Sequence, residues 1–163
     1  MRFAITVSLQ NFTEKPTGKE IQTMEYVVKS LSLDEIIAHI RNGYTLSANY
    51  TTDYKSIIRQ QNRRNENLIG TSYVMFDLDD DIKCSLSKLI ENLVIKPTIA
   101  YTTFSHQKEG KGNRYRLLYF FKEEIMSVNL YRELYDIIRS ENNLSVTDGC
   151  GRNISQAVLG SYT

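Results

Sequence analysis

The stretch YVMFDLD, residues 73–79, decides the fold of this 163-residue chain. Its apolar and aromatic residues are typical of a buried strand. Because side chains alternate along a strand, Asp77 and Asp79 lie on one face while Phe76 and Leu78 lie on the other. Two carboxylates in an apolar strand are costly to bury unless a positive charge lies between them. Hard oxygen ligands suit Mg²⁺ or Mn²⁺, so the stretch predicts a strand that carries a divalent-cation site.

Regular elements follow this strand. We predict a strand at 72–79, a helix at 85–95, strands at 98–104 and 114–121, a helix at 128–140 and a short last strand between 144 and 158. Both helices have apolar residues at the i, i+3, i+4, i+7 spacing. This order is that of the ferredoxin-like βαββαβ fold, for which we expect the spatial strand order 4-1-3-2 with antiparallel neighbours.

The residues before this core are predicted to form a small α/β module. It contains a strand at 2–9, a loop at 10–20, a helix that begins after Ser32 and a second helix at 53–66. Ser32 and Glu35 have the spacing of a capping box, and Gly43 ends the helix they begin. The predicted fold class is therefore α+β, with an N-terminal module at 1–70 and a core at 71–163 in the same domain.

Bulk composition is that of an ordinary folded protein, with 41% apolar and 24% charged residues and a net charge of +1. Positive charge is nevertheless concentrated in two stretches. These are Lys55, Arg59, Arg63 and Arg64, and Lys108, Lys111, Arg114 and Arg116. Two basic stretches beside an acidic one are compatible with nucleotide chemistry, although each alone is also typical of a solvated surface.

Several classes of protein are disfavoured. Cys84 and Cys150 are far apart and form no CxxC pair, which argues against a zinc site or a disulfide framework. The apolar run at the N-terminus is too short for a signal peptide, and no stretch approaches the roughly 20 apolar residues of a membrane span. We expect a cytoplasmic protein with no membrane partner. The abrupt end at residues 161–163 suggests the first domain of a longer protein.

The predicted topology brings further polar residues to the edge that carries Asp77 and Asp79. Arg114 and Arg116 begin the third core strand, directly beside the end of the first. Ser105 and His106 follow the second strand at the same edge. Asp148 reaches this edge only if it begins the last strand, and both placements remain open.

The chemistry of these side chains is that of phosphate transfer. Three carboxylates can bridge two cations about 3.5–4 Å apart, which is the arrangement of two-metal phosphoryl transfer. An imidazole can donate to a phosphate, with amides of the glycine-containing loop adding donors, and arginines grip phosphate in a bidentate way. The simpler alternative is that His106, Arg114 and Arg116 are ordinary surface residues. We interpret Asp80 and Asp81 as an acidic turn that caps the next helix.

The runs VMFDLD, FSH, RYRL and VTD, taken in this order, resemble the motifs of the archaeo-eukaryotic primase superfamily. The resemblance covers roughly residues 40–163 and is strongest over 72–152, and it is closest to the primase-polymerase domains of plasmid, phage and other mobile-element replication proteins. It implies an RRM-like catalytic core that makes primers or longer DNA-templated strands from nucleoside triphosphates with Mg²⁺ or Mn²⁺. The metal-binding and catalytic residues would be Asp77, Asp79 and Asp148. The nucleotide-binding residues would be Ser105, His106, Arg114, Arg116 and Arg152.

The resemblance also implies partners. A single-stranded DNA template would contact the basic stretch of the N-terminal module through Arg59, Arg63 and Arg64. A helicase domain or protein is a further candidate partner, although the chain has no helicase motif. The chain also departs from some family members because it lacks the Cys/His cluster of a zinc-binding stem.

Two other functions stay open. An RRM-like sheet can bind single-stranded nucleic acid without catalysis, with Tyr101, Tyr115 and Tyr119 as stacking residues. Two aspartates at the edge of such a face argue against this function, because without a metal they repel phosphate. A DxDx(T/V) phosphatase matches only in part, because Asp81 occupies the Thr or Val position. A rolling-circle nickase needs a His-hydrophobic-His site, which His39 cannot supply.

Overall fold

The computed structural model describes residues 1–52, 56–79, 82–144 and 149–162, which form eight strands and four α-helices. The strands are β1 (Phe3–Asn11), β2 (Glu25–Leu31), β3 (Tyr44–Ser47), β4 (Asn49–Tyr50), β5 (Ile58–Arg59), β6 (Leu68–Leu78), β7 (Ile99–Thr102) and β8 (Tyr115–Ile125). The helices are α1 (Gly18–Thr23), α2 (Leu33–Arg41), α3 (Leu86–Asn92) and α4 (Val128–Glu141). The fold is mixed α+β, as predicted. None of the described helices is long and apolar enough to cross a lipid bilayer.

The strands form two antiparallel four-stranded sheets, with the orders β3-β1-β2-β5 and β4-β6-β8-β7. Only Ala48 separates β3 from β4, so one short stretch of chain passes from the first sheet into the second. The order β6-β8-β7 is that predicted for core strands 1, 3 and 2. β4 pairs with the beginning of β6, and the described part of 144–158 forms a 3-10 turn at Cys150–Arg152 and a single bridge from Val158 to Leu46. Residues 145–148 lie outside the described residues, so the complete ferredoxin-like arrangement stays a prediction.

β6 is buried on both faces, which explains its nearly continuous apolar sequence. Phe76 lies on the face covered by α4, where its ring stacks on that of Tyr135 with centroids 4.3 Å apart. Met75 lies on the opposite face and packs in a second cluster with Ile5 and Val7 of the first sheet. The first sheet therefore packs on the face of β6 that the two helices leave open.

The capping box predicted for α2 is confirmed. The Glu35 amide donates to Ser32 Oγ at 3.3 Å, and the Ser32 amide donates to Glu35 Oε2 at 2.7 Å. Gly43 follows the helix with a φ of +80°, and a Cβ at this position would lie 1.9 Å from the carbonyl oxygen of Phe12. Only glycine fits this close approach.

The helix predicted at 53–66 is wrong over its described residues. Residues 56–66 contain β5 and parts of two 3-10 turns, and residues 53–55 lie outside the described residues. The amide of Arg59 donates to Asn62 Oδ1 at 2.9 Å, and Asn67 Nδ2 donates to the carbonyl oxygen of Asn62 at 3.1 Å. Asparagine side chains that bind nearby backbone compete with helix formation, which explains the difference.

The loop predicted at 10–20 is interrupted by the start of α1, which the prediction missed. The signal was present in the sequence, because Thr17 and Glu20 have capping-box spacing. The Glu20 amide donates to Thr17 Oγ1 at 3.3 Å, and the Thr17 amide donates to Glu20 Oε2 at 2.8 Å. The backbone hydrogen bond from Thr17 lowers the pKa of the Glu20 carboxyl.

A buried polar network joins the two sheets at Asn49. Thr6 Oγ1 donates to Asn49 Oδ1 at 2.8 Å, and Asn49 Nδ2 donates to the carbonyl oxygen of Ala4 at 2.9 Å and to Glu124 Oε1 at 3.1 Å. One side chain of β4 therefore connects β1 of the first sheet with β8 of the second.

We expect Asn49→Ala to lower the free energy of unfolding by about 1–3 kcal/mol, because it leaves buried polar groups without partners. The measurement is urea denaturation. The control is Asn11→Ala, which removes an exposed bond to the carbonyl oxygen of Asn42 and should change stability by no more than about 0.5 kcal/mol. Equal losses in the two variants would show that the Asn49 network does not hold the sheets together.

Candidate active site

A cavity of about 270 Å³ opens where β6 ends and β8 begins. Its polar lining includes Asp77, Asp79, Thr103, Ser105, Arg116 and Lys15. The structure thus brings together four residues that the sequence predicted for a site, namely Asp77, Asp79, Ser105 and Arg116. The cavity lies on the sheet face that carries Met75, just beyond the part that the first sheet covers.

The buried base of the site is the ion pair between Asp77 and Arg116. These residues are directly opposite each other in the β6–β8 register, and Arg116 Nη2 donates to Asp77 Oδ2. Their side chains are only 11% and 8% exposed. Arg116 Nη1 donates to the carbonyl oxygen of Leu159 at 2.8 Å, and the guanidinium lies 6.0 Å from the ring centroid of Tyr101.

Burial and charge oppose each other at Arg116. Burial by itself lowers the pKa of the guanidinium, but Tyr101 and Asp77 outweigh it, and the pKa is raised overall. Burial also raises the pKa of the Tyr101 hydroxyl, which donates to the carbonyl oxygen of Leu159 at 2.9 Å. Arg116 therefore remains a cation and Tyr101 remains neutral at physiological pH.

One oxygen of Asp77 fits a cation. Asp77 Oδ1 is buried without a hydrogen-bond partner among the described residues, and the carboxylate of Asp79 lines the same cavity. Two carboxylates, one with an oxygen that lacks a donor, are the kind of ligands that Mg²⁺ or Mn²⁺ takes. The third predicted ligand, Asp148, lies outside the described residues. Within the described part of the chain, His, Cys, Asp and Glu form no group of three suited to a metal.

The ion pair between Asp79 and Arg114 is more accessible. Arg114 Nη1 lies 3.2 Å from Asp79 Oδ1, and the two side chains are 24% and 40% exposed. Solvent screens an ion pair of this kind, so little free energy is needed to separate it. Both side chains are therefore able to turn toward a ligand at the cavity mouth.

His106 follows Ser105 and is held in a defined orientation, but it is not among the residues that line the cavity. The Arg114 amide donates to His106 Nδ1 at 3.1 Å, and the imidazole lies against the ring of Tyr115 with centroids 5.4 Å apart. Because Nδ1 accepts this bond, the neutral ring carries its proton on Nε2. His106 can therefore donate from Nε2 to a phosphate oxygen, while Ser105 lines the cavity itself.

The structure does not bring Arg152 to this cavity. Its guanidinium forms a bidentate pair with Asp136 of α4, with Nε–Oδ1 and Nη2–Oδ2 distances of 2.9 and 3.0 Å. The hydrogen bonds and charge of Arg152 lower the pKa of the Asp136 carboxyl. Arg152 lines a separate open depression together with Arg132 and Asn65, apart from the carboxylates.

The three arginines predicted to contact nucleic acid differ in their surroundings. Arg63 is 7% exposed. It donates to Ser47 Oγ at 3.0 Å, to Gln60 Oε1 at 2.8 Å and to the carbonyl oxygen of Ser155. We therefore assign Arg63 to the scaffold. Arg59 and Arg64 are exposed and form surface ion pairs with Glu25 and Glu66, so they remain the predicted template contacts.

Other residues of the cavity were missed from the sequence. Lys15 lies in the loop after β1, and Cys150 and Gln156 lie in the C-terminal segment. Neither stretch carries a periodic pattern that would place it against β6. Tertiary packing brings these residues to the edge of the second sheet that carries the cavity.

Comparison with known proteins finds no protein-family model, curated protein or solved structure that matches this chain.

We expect Arg116→Ala to cost about 3–5 kcal/mol of stability, because it leaves the Asp77 carboxylate buried without its partner. Urea denaturation at neutral pH measures the loss. The matched control, Arg114→Ala, breaks the exposed pair and should cost no more than about 1 kcal/mol. Adding Asp77→Asn to Arg116→Ala should recover part of the loss. If it does not, the buried charge is not its cause.

Proposed function

We propose that this chain is the catalytic domain of a primase-polymerase that performs metal-dependent, template-directed nucleotidyl transfer in the replication of a mobile element. The observation that carries this proposal is the carboxylate pair of Asp77 and Asp79 in a cavity that Ser105 also lines. Each carboxylate is balanced by an arginine, and one buried oxygen lacks a donor. The resemblance of the sequence motifs supports the same chemistry.

Asp77 and Asp79 would hold Mg²⁺ or Mn²⁺, with Asp148 as the predicted third ligand. When bound, the metal neutralises negative charge on the phosphates and favours ionisation of the attacking hydroxyl. Arg116 has a positioning role, because its two terminal nitrogens bind Asp77 and the carbonyl oxygen of Leu159. This differs from the predicted role of Arg116 in binding phosphate directly.

The remaining residues orient the nucleotide. The Nε2–H group of His106 donates a hydrogen bond to a phosphate oxygen. Arg114 leaves its screened ion pair with Asp79 and forms a bidentate contact with phosphate. A 3′-hydroxyl oxygen then forms a bond to the α-phosphorus as the bond to the bridging oxygen breaks. Pyrophosphate leaves and the hydroxyl proton passes to water.

The non-catalytic nucleic-acid-binding alternative loses support from the burial of its stacking residues. Tyr115 and Tyr119 are only 2% and 4% exposed. The hydroxyl of Tyr101 is engaged by Leu159 and its ring lies beside Arg116. Stacked bases need exposed aromatic faces, which Tyr115 and Tyr119 do not offer. The phosphatase alternative matches the sequence only in part, because Asp81 occupies the Thr or Val position of its motif, and Asp81 lies outside the described residues.

We expect Asp79→Ala to reduce primer synthesis and extension by more than about a hundredfold while the fold is retained. Even residues that only support metal ligands are worth about 10–100-fold, and Asp79 is exposed enough to be removed without leaving a buried charge. The measurement uses a single-stranded DNA template, labelled nucleotides and Mg²⁺ or Mn²⁺. Asp77→Asn should also abolish synthesis, and it is preferable to Asp77→Ala because it retains an acceptor for Arg116.

Asp34→Ala is the matched control, since Asp34 is an exposed carboxylate on α2. It should leave synthesis unchanged. Full metal-dependent synthesis by Asp79→Ala and Asp77→Asn would show that the site is wrong. Retained binding of single-stranded DNA without any product from the unmodified protein would favour the binding-module alternative.

We expect Arg59→Ala combined with Arg64→Ala to weaken single-stranded DNA binding and its salt dependence. Each lost phosphate contact should make the slope of log K against log salt shallower by about 0.7. The measurement is fluorescence anisotropy of a labelled oligonucleotide over a salt series. The control is Arg2→Ala, which removes an exposed arginine paired with Glu35. An unchanged slope in the double variant would remove the template role of these arginines.

A further inference from the structure

A second cavity adjoins the carboxylate cavity on the side of the basic loop. It has a volume of about 310 Å³ and shares Lys15, Phe104 and Ser105 with the first cavity. Its other lining residues are Lys108, Lys111, Glu14 and Glu109. A continuous path therefore leads from the two aspartates, over Ser105, to a group of three lysines.

The charges along this path change sign in the order that a metal-bound polyphosphate requires. The end at Asp77 and Asp79 suits a cation, whereas the lysine end suits the oxygens of an anion. Glu109 pairs with Lys111 at 3.3 Å and so reduces the positive charge at that side chain. Lys15 and Lys108 remain the lysines best placed to meet a phosphate.

The loop lysines are more suitable donors than the loop amides. The amides of Gln107, Lys108 and Lys111 donate to Gly112, Ser105 and Lys108 within the loop. These bonds define the shape of the loop and occupy amides that the sequence had suggested as phosphate donors. The positive side chains therefore carry the anion-binding capacity here.

Lys15 is held at its position by its chain neighbours. Pro16 is buried, and Thr17 is fixed as the N-cap of α1 by its reciprocal bonds with Glu20. On the other side, the amide of Phe12 donates to the carbonyl oxygen of Gly43 at 3.1 Å. An exposed ammonium on an anchored backbone can bind an anion at a smaller entropic cost than one on a free loop.

We propose that Lys15 of the N-terminal module binds the terminal phosphates of the nucleoside triphosphate while the α-phosphate lies at Asp77 and Asp79. This inference rests on the proposed function and assigns to it a residue from the opposite end of the chain. It gives the site a preference for triphosphates over monophosphates, since the terminal phosphates carry the additional negative charge that Lys15 would bind.

The test is displacement of a fluorescent nucleoside triphosphate by inorganic tripolyphosphate, and separately by nucleoside monophosphate, in the presence of Mg²⁺. We expect Lys15→Gln to weaken tripolyphosphate binding about tenfold, the range of a charge-assisted hydrogen bond. Monophosphate binding should be unchanged. The matched control is Lys19→Gln, because Lys19 is an exposed lysine of α1 that lines neither cavity.

The outcomes separate this inference from the proposed function. Weaker tripolyphosphate binding in Lys15→Gln alone supports the inference, even if the unmodified protein makes no DNA and the polymerase proposal fails. Equal tripolyphosphate binding in Lys15→Gln and the unmodified protein overturns the inference, whatever the polymerase activity. Equal weakening in Lys15→Gln and Lys19→Gln also overturns it, because it would reflect net charge alone.

Discussion

The buried pair of Asp77 and Arg116 is the constraint on which the site depends. A buried carboxylate at the end of a strand that is covered on both faces is stable only with a cation beside it, and the β6–β8 register supplies that cation directly opposite. Asp79 and Arg114 lie two residues beyond Asp77 and Arg116 and form a neighbouring pair that is more exposed to solvent. The strand pairing thus produces an inner pair that is fixed and an outer pair that can exchange partners.

This difference in burial gives the two arginines different surroundings. The inner arginine is tied to Asp77, to the Leu159 carbonyl and to the surface of Tyr101, so its contribution is to orient the carboxylate. The outer arginine forms a screened contact with Asp79, a long bond from Nε to the carbonyl oxygen of Lys111 and a backbone bond to His106. Sequence spacing alone could not distinguish these roles, since Arg114 and Arg116 occupy equivalent positions in the alternation of the strand predicted at 114–121.

The sequence predicted best where periodicity and capping chemistry act locally. β6, α3, α4 and the capping box of α2 follow from apolar spacing and from Ser32 and Glu35. The helix predicted at 53–66 failed because asparagine side chains bind local backbone there. The burial of Arg63 could not be predicted because its partners, Ser47 and the Ser155 carbonyl, are distant in sequence. For the same reason Lys15 and Gln156 were missed, since nothing local marks a residue that reaches the site only through tertiary packing.

The cavity is lined by residues from Lys15 to Leu159. The chain passes directly from β3 of the first sheet to β4 of the second through Ala48. This has a consequence for synthesis on the ribosome. The carbonyl that anchors Arg116 belongs to Leu159, 43 residues further along the chain, so Arg116 lacks this anchor until well after β8 has been synthesised. The lining of the cavity is therefore completed only after every strand of the first sheet has been made and has had time to pair.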